Sequence, residues 1–252
     1  MPTVDSDGVP IHYEVLGVGR PIVLAHGFTL SFDGSWRREG WVDFLLAQGR
    51  SVIGLDLRGH GASGKPHDPA AYAANQMPDD VLAVTDALGL ERADLMGYSM
   101  GAWIALNLLA RFPRRFSSVI AGGSGVRPFR QSDAIIEALE VNDPAVITDP
   151  GARAFRTFTD SSPEIDRLAF AALQRADRAE ADEALLKQVS VPTLLFVGAE
   201  DPTREAVQLA ARTIPNASLV VLPGEDHFSA LRAQTCKDAV TEFLKRQALT
   251  SQ

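Results

Sequence analysis

The chain is short of cysteine, of long apolar runs and of positive charge, and each shortage excludes something. Its one cysteine, Cys236, leaves no partner for an internal disulfide. Cys236 falls in an expected helix and reads as a buried structural thiol rather than a nucleophile. No stretch approaches 18 uninterrupted apolar residues, so no membrane-spanning helix is expected. Lys and Arg number 24 against 32 Asp and Glu, a formal net charge of −8. That balance argues against nucleic acid as a main partner and against an anionic membrane surface. The first eight residues lack the basic and apolar regions of a secretory signal, so the expected compartment is the cytoplasm. There is no H-E-x-x-H and no paired-cysteine spacing, so no metal is implied. No G-x-G-x-x-G follows a strand, so no dinucleotide cofactor is implied either. Internal repeats and low-complexity tracts are missing too.

What is present suits one α/β domain with a substantial core: 252 residues, 46% hydrophobic. Residues 9–16 alternate as a half-exposed strand. Residues 21–25, 51–55, 93–96, 117–121, 192–197 and 218–222 are short apolar runs, the pattern of strands buried on both faces. Helical patterns fall between them at 36–48, 79–88, 102–111, 203–212 and 229–247, the first two closed by Gly49 and Gly89. Strand and helix alternating at this spacing imply stacked βαβ units in a mostly parallel sheet. The rhythm breaks from 124 to 188, where 132–140, 150–158 and 164–187 read as helices. This segment is expected to be an inserted helical cap on a core formed by 1–123 and 189–252. Phe129, Phe155, Phe158 and Phe170 would give the cap an apolar underside, either to line a site or only to pack onto the sheet. Residues 249–252 are expected to fray.

The stretch that organises the rest is Gly97-Tyr98-Ser99-Met100-Gly101, between an expected buried strand and an expected helix. This is the G-x-S-x-G pattern of a sharp strand-to-helix turn. Glycine tolerates the close backbone approach and any positive φ such a turn demands. The turn lifts a hydroxyl clear of the sheet beside helix N-terminal amides able to receive negative charge.

Ligands of open parallel sheets bind outside the carboxyl ends of the strands. The polar residues at those ends are His26, Asp56, Ser99, Glu200 with Asp201, and His227. A serine hydroxyl needs an adjacent base, and the base needs a carboxylate to fix its tautomer. The chain supplies them in the order Ser99, Asp201, His227.

With His26-Gly27-Phe28, the turn from Asp56 to Ser63, Gly198-Ala199-Glu200-Asp201 and Asp226-His227-Phe228, the chain resembles the α/β-hydrolase family over nearly its whole length. The resemblance implies an eight-stranded, mostly parallel sheet with flanking helices and a small helical cap. It implies a triad of Ser99 as nucleophile, His227 as base and then acid, and Asp201 as orienting carboxylate. It also implies an oxyanion hole from the backbone amides of Phe28 and Met100, and no cofactor. Glu200 is the alternative to Asp201. His26 is expected to be structural rather than a second base, His60 to brace its loop, and His12 and His67 to lie at the surface.

One departure stands out. Asp226, preceded by Glu225, fills the place just before the triad histidine where the family usually has glycine. If both acids face His227 they favour its imidazolium, and activity would need a somewhat alkaline pH; if they point to solvent they do not. Serine rather than aspartate at the turn argues against dehalogenase and epoxide-hydrolase chemistry. The expected activity is hydrolysis of a small, largely apolar ester or lactone through an acyl-enzyme on Ser99. The alternatives are a C–C bond hydrolase or perhydrolase-type relative, and a small-ligand receptor of the same fold.

Overall fold

The computed structural model describes residues 2–162 and 164–249. Among them, eight strands form one sheet: β1 (Thr3–Ser6), β2 (Val9–Leu16), β3 (Arg20–Ala25), β4 (Arg50–Leu55), β5 (Ala93–Tyr98), β6 (Phe116–Gly122), β7 (Thr193–Gly198) and β8 (Ala217–Leu222). The order across the sheet is β1-β2-β4-β3-β5-β6-β7-β8. β1 and β2 are antiparallel to their neighbours, and every pairing from β4 to β8 is parallel. The chain leaves β3 toward one edge and returns at β5 toward the other. The crevice outside the ends of β3 and β5 is therefore the topological switch point, where such sheets bind ligands.

The helices follow from the same patterning. They are α1 (Trp41–Ala47), α2 (Gln76–Ala87), α3 (Met100–Arg111), α4 (Asp133–Glu140), α5 (Pro150–Asp160), α6 (Arg167–Arg175), α7 (Glu183–Leu186), α8 (Arg204–Thr213) and α9 (Gln234–Leu249). One face of the sheet carries a core that includes Val23, Leu95, Trp103, Leu106, Leu109 and Leu195; the other carries Leu24, Trp36, Trp41, Met96, Phe196 and Phe243. β5 and β7 are buried at every residue, which explains why both are mostly apolar. α3 is buried from Met100 to Ala110, as a helix apolar on all sides must be.

Three expected helices need correction, and one strand adds to the expected set. The expected helix 36–48 is split: a π-helical turn spans Asp33–Arg37, and α1 starts only after Gly40, whose φ of +72° no right-handed helix can contain. The expected helix 164–187 is also split. Between α6 and α7 the backbone runs extended beside Ala74, whose amide donates to Asp177 O (2.7 Å) and whose carbonyl accepts from Ala179 (2.9 Å). Tertiary pairing there overrides the helix propensity of Ala176 to Ala181, and Asp182 then caps α7 afresh. The expected helix 229–247 begins at Gln234, because Asp226 and Ser229 hold the preceding residues in a turn. The added strand is Thr3–Ser6, whose four residues at the sheet edge carry too little alternation to mark it.

The segment between β6 and β7 carries α4 to α7. α4, α5, α6 and α7 each start at a Ser or Asp whose side chain accepts an amide hydrogen bond. Phe170 is buried and Phe155 half-buried on its inner side, whereas Phe158 and Phe129 are exposed, at 44% and 55%. The fraying expected at 249–252 falls, past Leu249, outside the described residues.

Candidate active site

Ser99 sits between β5 and α3 with φ +54° and ψ −117°, a strained conformation for a non-glycine residue. The two glycines are dictated by contact. A Cβ on Gly97 would lie 2.0 Å from Gly101 O, and one on Gly101 would lie 2.0 Å from Ala25 O. The turn is thus wedged against the end of β3, and a Cβ on Gly27 would lie 3.5 Å from Ser99 Cβ.

Three side chains, far apart in sequence, meet here. His227 Nε2 lies 3.0 Å from Ser99 Oγ, and His227 Nδ1 lies 2.8 Å from Asp201 Oδ2. Asp201 Oδ1 accepts from Thr203 N (2.8 Å) and Thr203 Oγ1 (2.7 Å). Burial pushes the Asp201 carboxyl up, but the hydrogen bonds from His227 and Thr203 outweigh it and hold the group below its ordinary value. Asp201 is therefore charged at neutral pH. With Asp201 accepting from Nδ1–H, Nε2 is left free to take the Ser99 proton. Glu200, the alternative carboxylate, is exposed, and the partner of His227 is Asp201. The loops bearing Asp201 and His227 touch through Gly198, where a Cβ would lie 2.2 Å from Glu225 O.

Tyr98 fixes the far side of the histidine. Its hydroxyl donates to His227 O at 2.6 Å, and its ring stacks on Phe196. Burial, reinforced by Asp201, pushes the phenol's pKa up, so Tyr98 stays a donor. No sequence signal pointed to this role. Thr203 could have been found: a threonine two residues after an aspartate is a local turn signature.

The amides of Phe28 and Met100 donate to no acceptor among the described residues. Met100 is the first residue of α3, where an amide has no intrahelical partner. Thr29, next to Phe28, has φ +66°, a second strained residue beside the same crevice. The Phe28 ring is held by Phe170 (centroids 4.8 Å apart) and Phe155 (6.4 Å) from the helical segment above.

The remaining histidines divide. His26 Nε2 accepts from Leu57 N (3.0 Å), so Nδ1 carries the proton and donates to Gly27 O (2.8 Å). Burial lowers its pKa and keeps it neutral, and both nitrogens are engaged in holding the loop of Phe28. His60 is buried, bonds Arg58 O at 3.0 Å and packs edge-on to His26. His67 is at the surface, paired with Asp166 at 2.9 Å. His12 is not. It is 5% exposed, and its Nδ1 lies 3.3 Å from Asp56 Oδ2. β2 pairs with β4, and the end of β4 brings Asp56 over His12. Asp56 also accepts from Phe32 N and Ala62 N, both at 2.8 Å, so it ties together the loops that follow β3 and β4.

Asp226 is exposed, and its Oδ1 accepts the amides of Phe228 and Ser229 at 2.8 Å. Those bonds hold its carboxyl below the ordinary value. An aspartate stands where glycine is usual because it caps the turn that presents His227. Cys236 is buried, as expected.

A cavity of about 260 Å³ opens onto Ser99 and His227. Phe28, Leu30, Phe158 and Leu231 supply apolar lining; Ser35, Glu39 and Arg232 supply polar lining. No helix among the described residues is long and apolar enough to cross a membrane.

A family model for the α/β hydrolase fold matches residues 20–149. The chain is 30% identical to 3-oxoadipate enol-lactonase 2 of Acinetobacter baylyi, over 97% of this chain and 96% of that one. It is 29% identical to a non-heme haloperoxidase of Rhodococcus erythropolis, over 95% and 97%. Among solved structures, a thermophilic esterase from Thermogutta terrifontis superposes with a TM-score of 0.74 at 26% identity, covering 98% of each chain.

Proposed function

The chain belongs to the α/β-hydrolase fold family, and on that premise we propose that it is a serine hydrolase cleaving a small, largely apolar carboxylic ester or lactone. The observation that carries this is the continuous relay from Ser99 Oγ through His227 to Asp201, at 3.0 and 2.8 Å. In the proposed mechanism Oγ attacks the carbonyl carbon as its proton passes to His227 Nε2. Asp201 stabilises the imidazolium that forms. The carbonyl oxygen becomes an alkoxide received by the unengaged amides of Phe28 and Met100, each such donor being worth about 3 kcal/mol in the transition state. The tetrahedral species collapses, and the leaving alkoxide takes the proton back from His227. Water, deprotonated at the same nitrogen, then attacks the acyl-enzyme and frees the acid and Ser99.

The apolar walls and the small volume favour a small substrate. The similarity to an enol-lactonase and to an esterase supports the ester or lactone class. The similarity to a haloperoxidase favours one second reading: the same acyl-enzyme intercepted by hydrogen peroxide to give a peracid. Segment 124–188, bearing the phenylalanines over Phe28, acts as the cap that sets substrate size.

A panel of p-nitrophenyl esters and lactones, with and without peroxide, tests both readings on wild type and Ser99→Ala. Sustained turnover that Ser99→Ala abolishes is expected. Turnover unchanged in Ser99→Ala would end the proposal.

A further inference from the structure

We propose that Ser35 is a specificity-determining residue, whose hydroxyl donates to a second carbonyl oxygen carried by the substrate close to the scissile one. The inference rests on the serine-hydrolase reading above and narrows its substrate class to oxo- or acyl-substituted esters and lactones.

Ser35 is 2% exposed, and its Oγ has no hydrogen-bond partner among the described residues. A buried hydroxyl left unpaired destabilises the fold, and alanine would fill the same space without that cost. The group is not satisfied in the usual helical way either. Thr157, Thr213 and Thr241 all donate to the carbonyl four residues back, at 2.9 Å; Ser35 does not. Its backbone is nonetheless anchored, with Ser35 N donating to Ser31 O at 3.0 Å. It sits on the π-helical turn Asp33–Arg37, a geometry that recurs at functional sites.

The same residue lines the cavity that holds Ser99 and His227. The charged groups that share this lining are an ion pair. Arg232 lines the cavity too, with its Nε on Glu39 Oε2 at 3.0 Å. Glu39, the acceptor in that lining, is engaged by Arg232 and offers its carbonyl to Lys237 Nζ at 3.1 Å. An acceptor oxygen is therefore the complement, and a ketone or acyl carbonyl supplies one without a proton to place. The apolar lining of Phe28, Leu30 and Phe158 takes the carbon skeleton. The hydroxyl is unpaired in the free protein and becomes paired when such a substrate arrives. That difference discriminates against plain alkyl esters, which leave it unpaired.

The test is protection of Ser99 from a fluorophosphonate probe by ethyl 3-oxobutanoate or by ethyl butanoate. It is run on wild type and Ser35→Ala, with thermal melts of both proteins. The oxo ester should protect wild type at about fivefold lower concentration, the size of one neutral hydrogen bond. Ser35→Ala should erase that preference while melting at the same temperature or higher. Equal protection by both esters in wild type, or a preference that survives in Ser35→Ala, overturns the proposal. So does a Ser35→Ala melting point lower by more than about 4 °C, since the hydroxyl would then be bonded within the fold. A wild type that takes no probe at Ser99 overturns the hydrolase reading itself and this proposal with it; normal labelling without the oxo preference overturns this proposal alone.

Discussion

Replacing Asp201 by asparagine should be more harmful than the loss of one charge suggests. Thr203 donates twice to Asp201 Oδ1, through its amide at 2.8 Å and its hydroxyl at 2.7 Å. An asparagine in that place must point its one carbonyl oxygen at those two donors. Its NH2 then faces His227 Nδ1, where the carboxylate oxygen now accepts at 2.8 Å. A donor there selects the tautomer with the proton on Nε2, the nitrogen that must receive the proton of Ser99. The base is thereby blocked, not merely weakened. Loss of about 10⁴ in kcat is expected, roughly 5.4 kcal/mol of transition-state stabilisation. KM should change little, since Asp201 is 4% exposed and is not on the cavity wall. The side chains are near-isosteric, so the melting temperature should hold, and a melt run beside the kinetics separates chemistry from unfolding. A kcat within about tenfold of wild type for Asp201→Asn would refute the tautomer argument.

Three further outcomes follow from the packing and the charges. Gly101→Ala puts a Cβ 2.0 Å from Ala25 O, a backbone atom that cannot swing aside, and should destabilise by about 3 kcal/mol or more or prevent folding; denaturant midpoints measure it. Asp94, buried at the start of β5, bonds Arg50, Arg20 (3.0 Å) and Ser118 (2.7 Å). Asp94→Ala should cost about 3–5 kcal/mol in urea melts while leaving KM unchanged, because it lies at the opposite end of the sheet from Ser99. Burial lowers the pKa of His26 and of His60, so the unfolded chain binds protons first as pH falls. Their neutral forms contribute stability that is full above about pH 6.5 and lost below it, at up to about 1.4 kcal/mol per pH unit for the first proton taken up. Urea melts at pH 7.5, 6 and 5 should show that decline, reduced in His60→Gln; a stability flat over this range would contradict it.

Much of the site was legible because its geometry is made by local turns. Gly97 and Gly101 mark the bend, and the strand ends deliver Asp201 and His227 to one rim, so the order of elements sufficed to name them. Residues that act through tertiary contact left no such mark. Tyr98 looks like any strand aromatic until its hydroxyl is seen on His227 O, and Ser35 like any loop serine until its burial is known. His12 was expected at the surface because the alternation of β2 does not reveal that Asp56 folds over it. The sheet was legible from its apolar runs, whereas helix boundaries failed where Gly40, the bridge at Ala74, or the turn of Asp226 and Ser229 overrode local propensity. The acidic pair before the histidine shows the same limit. Asp226 is an aspartate for the sake of a turn, which composition alone could not separate from an electrostatic role.

The central claim is that Ser99 is an activated nucleophile. Peptide mapping by mass spectrometry after titration with a fluorophosphonate tests it most directly. A single adduct is expected, on the peptide containing Ser99, formed in step with loss of esterase activity. Complete loss of activity with Ser99 unmodified, or full activity with Ser99 fully modified, would contradict it.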